Sequence, residues 1–194
     1  MREKLMNTAI KLWKEQGYDN VSIPMICKEC GVTKGSFYHY YKSKDDVLLS
    51  YFKVAEKPML VDLLVAIVVE PRYIEKIWLF MEFYTKMAID LGPELIMILI
   101  QSDMKQRKQI LPLAVLEDNN GTDDSYYNIL LSIFKEGQKC GEIRQGKSVE
   151  KLMEMIEAAF TGLLLSWGAT GQKFNLLERQ KELLEMLLEP SDSD

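Results

Sequence analysis

Residues 22–44 constrain the fold of this chain most, because they have the pattern of two short helices joined by a tight turn. Ser22 is a suitable N-cap for the first helix. Gly31 can adopt the positive φ that commonly follows a helix end. Thr33 can cap a second helix over residues 34–41. The stretch therefore predicts a helix-turn-helix unit, which needs a third helix to bury its apolar face.

The second helix of this unit opens with a cation, a residue without a side chain and a small hydroxyl, namely Lys34, Gly35 and Ser36. Small groups at a helix N-terminus let the backbone approach a surface closely, and the free N–H groups there favour an anionic surface. The opening turn is therefore typical of a helix that contacts nucleic acid.

The rest of the second helix is aromatic. Phe37 and Tyr41 lie four residues apart and share one face, which we expect to pack inwards. Tyr38 and Tyr40 leave that face and can donate phenolic O–H groups to phosphates. The pattern predicts one packed face and one face that meets DNA.

These residues resemble a known signature. Residues 31–44, GVTKGSFYHYYKSK, look like the DNA-binding motif of the TetR family of bacterial transcription regulators. Ala9 to Trp13, Gly17-Tyr18 and Val21 to Ile23 resemble that family's first helix and its lead into the second. The motif resemblance covers residues 1–50 and becomes an architectural likeness beyond them.

The resemblance implies a ligand-responsive regulator that binds DNA as a homodimer, with repression expected and activation left open. Two recognition helices would enter successive major grooves about 34 to 36 Å apart, so the operator is expected to be a pseudo-palindrome. Lys34 is the expected donor to guanine, Ser36 can read a base, and Gly35 allows close approach. The predicted DNA-binding set is Ser22, Thr33, Lys34, Gly35, Ser36, Tyr38, Tyr40 and Lys44, where the last grips a phosphate.

One position departs from the family pattern. Members often carry a polar or basic residue early in the second helix of the domain, and this chain has Ile23 and Pro24 there. We expect recognition to depend more strongly on the third helix as a result.

The distribution of charge agrees with a DNA-binding head on an acidic body. The formal net charge is −5, yet residues 1–50 carry eight lysines and arginines against six aspartates and glutamates, which leaves −7 for residues 51–194. Segregated charge concentrates phosphate contacts in one place.

Composition favours an all-α protein, because Leu, Met, Glu and Lys are abundant and only 6 of the 194 residues are proline. We expect a helix-turn-helix domain at 1–45, a helical ligand-binding and dimerisation domain at 46–190, and a frayed tail at 191–194. The start has no secretory pattern, and no apolar run reaches the roughly 20 residues that span a bilayer, so a cytoplasmic location without membrane contact is expected.

Apolar periodicity predicts the helices of the second domain. A helix capped by Ser43 is expected to end near Lys57-Pro58. Further helices are predicted at 59–69, 73–91, 94–109, 125–137, 148–167 and 176–188, with a polar loop at 117–124.

The last two helices carry wide apolar faces, which fit either buried core or an isologous interface. The resemblance favours dimerisation through a four-helix bundle. The residues assigned to that interface are Phe160, Leu163, Leu164, Trp167, Leu184 and Leu187.

Aromatic residues and methionines are frequent between residues 59 and 134. Such residues often line adaptable apolar pockets, although most are ordinary core. The resemblance implies a pocket among the helices after Lys57, and the candidate lining residues are Trp78, Phe83, Tyr84, Met87 and Met104.

Enzymatic and metal-binding functions have little support. The only histidine is His39, and no metal-ligand cluster, phosphate-binding glycine loop or nucleophile motif is present. No cofactor is expected. Cys27 and Cys30 form a lone CxxC, for which core packing is favoured and a thiol sensor or metal site with Cys140 is the alternative. A helical small-molecule-binding or scaffold protein without DNA binding is the competing class of function.

Overall fold

The computed structural model describes residues 1–107 and 125–190, without the side chains of 56–60, 103–107 and 125–127. This part of the chain is all helical, as predicted. Its helices are α1 (Arg2–Gln16), α2 (Ile23–Cys30), α3 (Lys34–Tyr40), α4 (Lys44–Val69), α5 (Tyr73–Leu91), α6 (Pro93–Arg107), α7 (Ser125–Cys140), α8 (Val149–Ala169) and α9 (Leu176–Leu188).

The first three helices share one small core. Leu5, Ala9 and Trp13 of α1 are buried against α2, together with Phe37 of α3. Two long-range hydrogen bonds hold the chain start in place: the Lys4 ammonium donates to the Cys30 carbonyl at 3.1 Å, and the Tyr41 hydroxyl donates to the Arg2 carbonyl at 3.1 Å. The head is therefore the three-helix unit that the sequence predicts.

The turn between α2 and α3 has the predicted chemistry. Gly31 takes φ 68° and ψ 36°, and its N–H donates to the Lys28 carbonyl at 3.1 Å. The next N–H, that of Val32, donates to the Cys27 carbonyl at 2.9 Å. A side chain at Gly31 would be strained by this left-handed backbone, so glycine fixes the angle between the two helices.

The predicted break near Lys57-Pro58 is wrong, because α4 continues from Lys44 to Val69. Proline removes one helical N–H and normally disfavours a helix interior. Here Phe52 on one side of the proline, and Leu63 and Ile67 on the other, are buried in the same core, so packing keeps both halves in line. The helix ends at Glu70, whose extended backbone precedes Pro71.

The second half of α4 leaves four valines uncovered among the described residues. Val61, Val65, Val68 and Val69 are between 58% and 77% exposed. Their spacing places them along one side of the helix, opposite the side that carries Leu63 and Ile67.

The body is built around α5, which contacts α4, α6, α7 and α9. Helix α8 covers the other side of α6 and α9. The predicted bounds of α5 and α9 agree with the structure, while α7 extends three residues further, to Cys140, and α8 extends to Ala169. The predicted end of the 94–109 helix, the 117–124 loop and the 191–194 tail lie outside the described residues. The domain boundary at 45/46 stays a prediction.

Within the described residues, no helix is both long enough and apolar enough to cross a membrane.

Gly137 is required by close packing between α7 and the connector that follows it. A Cβ there would lie 2.5 Å from Cδ1 of Ile143 and 2.9 Å from Cβ of Tyr73. We predict that Gly137→Ala lowers the free energy of unfolding by about 1 to 3 kcal/mol, because overpacking exceeds the gain in helix propensity. Urea unfolding followed by circular dichroism measures this. Gly35→Ala is the matched control, since its Cβ would meet only Thr33 Oγ1, at 3.6 Å; equal losses in both variants would contradict the prediction.

Candidate nucleic-acid interface and internal cavities

One side of α3 is fully packed and the other is open to solvent. Phe37 is buried, whereas Lys34, Tyr38, His39 and Tyr40 are exposed. Tyr38 is the most prominent of the aromatic groups, with 57% of its surface exposed. Helix α3 therefore has one packed face and one exposed face, as the sequence predicts.

The first turn of α3 is held by two hydroxyl groups. Thr33 Oγ1 accepts the N–H of Ser36 at 3.3 Å and also lies 3.3 Å from the Ser36 hydroxyl. Gly35 lies between them, and there is room for a Cβ atom at this position. A helical glycine costs about 0.5 to 1 kcal/mol relative to alanine. Because the protein's own packing does not demand a glycine here, approach by an external surface is the better reason for it.

Ser22 lies at the start of α2 and is exposed. It occupies the N-cap position with extended backbone, but its hydroxyl makes no capping hydrogen bond. Its side chain therefore faces solvent without a role in the helix end.

The structure gives Lys44 partners inside the head, and its contact with a phosphate stays a prediction. Its ammonium group donates to the Tyr18 carbonyl and lies 3.9 Å from the centroid of the Tyr18 ring. Burial lowers the pKa of this amine from its usual value. Lys44 is thus engaged inside the head, where it ties the start of α4 to the α1–α2 connection.

A polar junction joins the head to the body. The Asp45 carboxylate at the start of α4 accepts the Tyr18 hydroxyl on one oxygen and the Ser102 hydroxyl of α6 on the other, the latter at 2.8 Å. The Tyr18 N–H donates to the Glu94 carboxylate, also on α6, at 2.9 Å. Burial and the bond to Asp45 raise the pKa of the Tyr18 hydroxyl, so it remains a donor at physiological pH.

An ion pair extends this junction to the end of α5. The Lys14 ammonium of α1 lies 2.9 Å from the Asp90 carboxylate. This pair is largely exposed and contributes little to stability. The buried part of the junction therefore consists of the Tyr18, Asp45 and Ser102 contacts.

Two small cavities lie among the described residues of the body. The first is lined by Phe52, Tyr84, Ala88, Ile96, Ile100, Phe160 and Leu164. The second is lined by Met81, Ile156, Phe160, Gln180, Leu183, Leu184 and Leu187. Each leaves about 10 Å³ for the centre of a water molecule, which is the space of a single water. Phe160 belongs to the walls of both.

The predicted ligand-binding residues only partly meet at these cavities. Tyr84 lines the first, and Phe83 packs edge-on against it with ring centroids 5.0 Å apart. Trp78 is half-buried beside α9, where the Lys181 ammonium lies 5.6 Å from its ring, and Met87 is half-buried at the edge of the core. The side chain of Met104 lies outside the described part of the chain.

Sequence reasoning missed most of the residues that line the first cavity. Ile96, Ile100 and Ala88 have the spacing of ordinary core positions, and nothing in the sequence separates them from other buried residues. Phe52 lies within the helix predicted after Ser43, and its sequence context marks it only as apolar. Phe160 and Leu164 were assigned to the dimer interface.

That interface assignment needs correction. Phe160, Leu164, Trp167 and Leu184 are each at most 4% exposed in the single chain, so they face the protein's own core. Leu163 and Leu187 are half-buried and remain accessible in part. Periodicity identified the wide apolar faces correctly but could not tell which side of each helix the core would cover.

The outward side of α8 carries a different set of apolar and small residues. Met155, Ala158, Gly162 and Leu165 recur every three or four positions and are exposed. Met186 of α9 is 72% exposed.

Cys27 and Cys30 are buried in the head, as core packing predicts, and Cys140 is exposed at the end of α7. Burial raises the pKa of the Cys27 thiol. Among the residues that the structure describes, no group of three or more His, Cys, Asp or Glu side chains is arranged to hold a metal ion.

A helix-turn-helix head with an open recognition helix, attached to a helical body with an apolar interior, defines a ligand-responsive DNA-binding transcription regulator. The chain belongs to the TetR family of bacterial regulatory proteins: residues 5–51 match that family, and residues 73–190 match the C-terminal region of YsiA-like proteins. The predictions of an all-α fold and of this family are confirmed.

Similarity to individual proteins extends along nearly the whole chain. The fatty acid metabolism regulator protein of Bacillus subtilis is 27% identical over 185 residues, which cover 95% of this chain and 92% of that protein. A crystal structure of the Bacillus subtilis transcriptional regulator FadR in complex with stearoyl-CoA is 26% identical, covers 97% of this chain and 98% of its own, and has a TM-score of 0.68. FadR from Thermus thermophilus in complex with lauroyl-CoA, described as a TetR-family repressor, shares the fold at 20% identity and a TM-score of 0.69, with 96% and 93% of the two chains covered.

The head–body junction can be tested at Ser102. Ser102→Ala removes one hydrogen bond to the partly buried Asp45 carboxylate, and we predict a loss of about 1 to 2 kcal/mol in the free energy of unfolding. Denaturant titration at neutral pH measures it. Ser132→Ala, on the exposed side of α7, is the control and is expected to lie within about 0.5 kcal/mol of wild type. A Ser102 variant as stable as the control would show that the junction contributes nothing.

Proposed function

We propose that this protein is a homodimeric repressor that binds a pseudo-palindromic operator and is released by a long-chain fatty acyl-CoA. The similarity that carries this proposal is the match over 95% of the chain to a regulator of fatty acid metabolism, because it includes the body as well as the head. The stearoyl-CoA complex of a related regulator supports the same class of effector.

The interior of the body suits an alkyl chain. The first cavity is lined by aliphatic and aromatic groups, with Tyr84 as the one residue that has a polar tip. Its size in this conformation is far below the roughly 300 to 1,000 Å³ of ligand pockets. An acyl chain therefore has to displace side chains, and the free energy needed for that displacement is the basis for a ligand-dependent change of shape.

The DNA contacts follow from the exposed side of α3. Lys34 is the proposed donor to a guanine edge, with Gly35 and Ser36 beside it, while Tyr38 and Tyr40 hold phosphates. Thr33 and Ser22 lie at the starts of α3 and α2, where their hydroxyls can reach the backbone of the duplex. Lys44 lies at the start of α4 and would have to leave the Tyr18 carbonyl to reach a phosphate, so we expect it to contribute less than Lys34.

Helix α6 offers a direct link between effector and DNA. Ile96 and Ile100 line the cavity, and Glu94 and Ser102 of the same helix hold Tyr18 and Asp45 of the head. An acyl chain that shifts α6 therefore also shifts the start of α4 and the attached head. A coupling free energy of about 1 to 3 kcal/mol changes operator affinity about 5- to 150-fold.

The dimer is proposed to form through the outward side of α8 together with Met186 of α9. Small residues at Ala158 and Gly162 allow close approach of two helices. A Cβ at Gly162 would meet nothing within 4 Å in the single chain, so packing within the subunit does not require the glycine.

Selection from a random duplex library tests the DNA function. We expect a two-fold-symmetric site with half-sites about one helical turn apart, bound less tightly as salt rises. Lys34→Ala is predicted to cost about 1 to 3 kcal/mol of operator affinity and to relax specificity at one position of each half-site. Lys28→Ala, an exposed lysine of α2, is the charge-matched control. No selected sequence at low or moderate salt would overturn the proposal.

Effector release is measured by fluorescence anisotropy of the labelled operator. Palmitoyl-CoA is expected to lower the fraction bound, whereas free CoA and acetyl-CoA at the same concentration are not, because only the long chain buries apolar area. Release by free CoA, or none by any chain length from eight to eighteen carbons, would rule out the proposed effector class.

A further inference from the structure

The second cavity contains a polar group without a partner. Gln180 of α9 is 2% exposed, and its side-chain oxygen shares the hydroxyl of Thr85 on α5 with the Met81 carbonyl, which accepts that hydroxyl at 2.8 Å. In the described part of the chain, its Nε2 finds no acceptor. Such a donor destabilises the folded state unless something else accepts its protons.

A trapped water is a poor candidate for that acceptor. A buried water usually makes about three hydrogen bonds. The other residues that line this cavity, Met81, Ile156, Phe160 and three leucines, are apolar, so a water there would have the amide as its single side-chain partner. A ligand with one acceptor oxygen and an otherwise apolar body suits these walls better.

Phe160 separates this cavity from the other one, which is lined entirely by apolar residues apart from Tyr84. Its ring forms part of the wall of both cavities, with Gln180 beside one and Ile96 and Ile100 beside the other. A change of the Phe160 rotamer would join the two spaces into one channel that has an amide at one end and aliphatic side chains at the other.

We propose that Gln180 is the residue that recognises the carbonyl of the effector: its Nε2 donates to the carbonyl oxygen at the head of an alkyl chain that lies in the joined cavities. This assignment rests on the proposed function, and it concerns an acyl thioester, although a free fatty acid offers the same oxygen. The next residue, Lys181, is half-exposed, and its ammonium lies 3.8 Å from the Glu75 carboxylate. It would have to leave this carboxylate to contact the phosphates of CoA.

The sharpest test compares two ligands that differ in the carbonyl alone. Palmitoyl-CoA and S-hexadecyl-CoA, in which CH₂ replaces C=O, are titrated calorimetrically against wild type and Gln180→Met. The ratio of the two Kd values, alkyl over acyl, is expected to fall about 2- to 13-fold in the variant, which is the effect of one neutral hydrogen bond. Leu184→Met changes the same wall but keeps the amide, so it is expected to retain the wild-type ratio.

A spectroscopic measurement on the wild-type protein provides a second readout that needs no variant. The C=O stretch of carbonyl-labelled palmitoyl-CoA is expected to lie lower in the complex than in an alkane solvent, because a hydrogen bond weakens the double bond. A bound frequency equal to the alkane value would overturn the assignment.

The outcomes separate this inference from the proposed function. Equal ratios in wild type and Gln180→Met, with palmitoyl-CoA still bound and still releasing the operator, would overturn the role of Gln180 and leave the effector class standing. Binding of neither compound by wild type would overturn both. If the substitution weakens the binding of palmitate but not that of palmitoyl-CoA, the role of Gln180 is supported, with a free fatty acid as the effector. The apo form of Gln180→Met is expected to melt above wild type, since the unpartnered donor is gone.

Discussion

The Asp45 carboxylate is the contact on which the arrangement of head and body depends. It stands at the first turn of α4, where a negative charge is favoured by the helix dipole, and it receives one hydroxyl from the head and one from α6. Because Lys44 beside it holds the Tyr18 carbonyl, both ends of the tyrosine are fixed at the same place. In the proposed mechanism, a shift of α6 would act directly on the contacts that hold the head, so an effector inside the body could change DNA binding without touching the DNA.

The head could be predicted from the sequence nearly in full, because its determinants are local. Gly31, Thr33 and Phe37 each fix a turn, a cap or a buried face within a few residues of themselves. Lys44 is the exception, since its partner Tyr18 lies 26 positions earlier and no local pattern indicates that contact. The same limit explains α4, where local chemistry at Pro58 predicts a break and distant packing overrides it.

The body was predictable in its helices but not in its site. Apolar periodicity indicates which face of a helix is buried. It cannot tell whether Phe160, Leu164 and Ile100 on such a face belong to the core, to a cavity wall or to an interface. Which of these applies depends on the neighbouring helices, and that information is spread over α4, α5, α6 and α9. Gln180 shows the same limit for a polar residue: it lies between Arg179 and Lys181 in the sequence, so local pattern predicts a surface residue, whereas the structure buries it against Thr85.

The closed interior also determines how fast an effector can bind. With room for about one water in each, the two described cavities cannot admit an alkyl chain as they stand, so opening has to precede or accompany entry into them. When opening comes first, the observed association rate levels off at high ligand concentration and reports a property of the protein, the frequency with which Phe160 and its neighbours move aside.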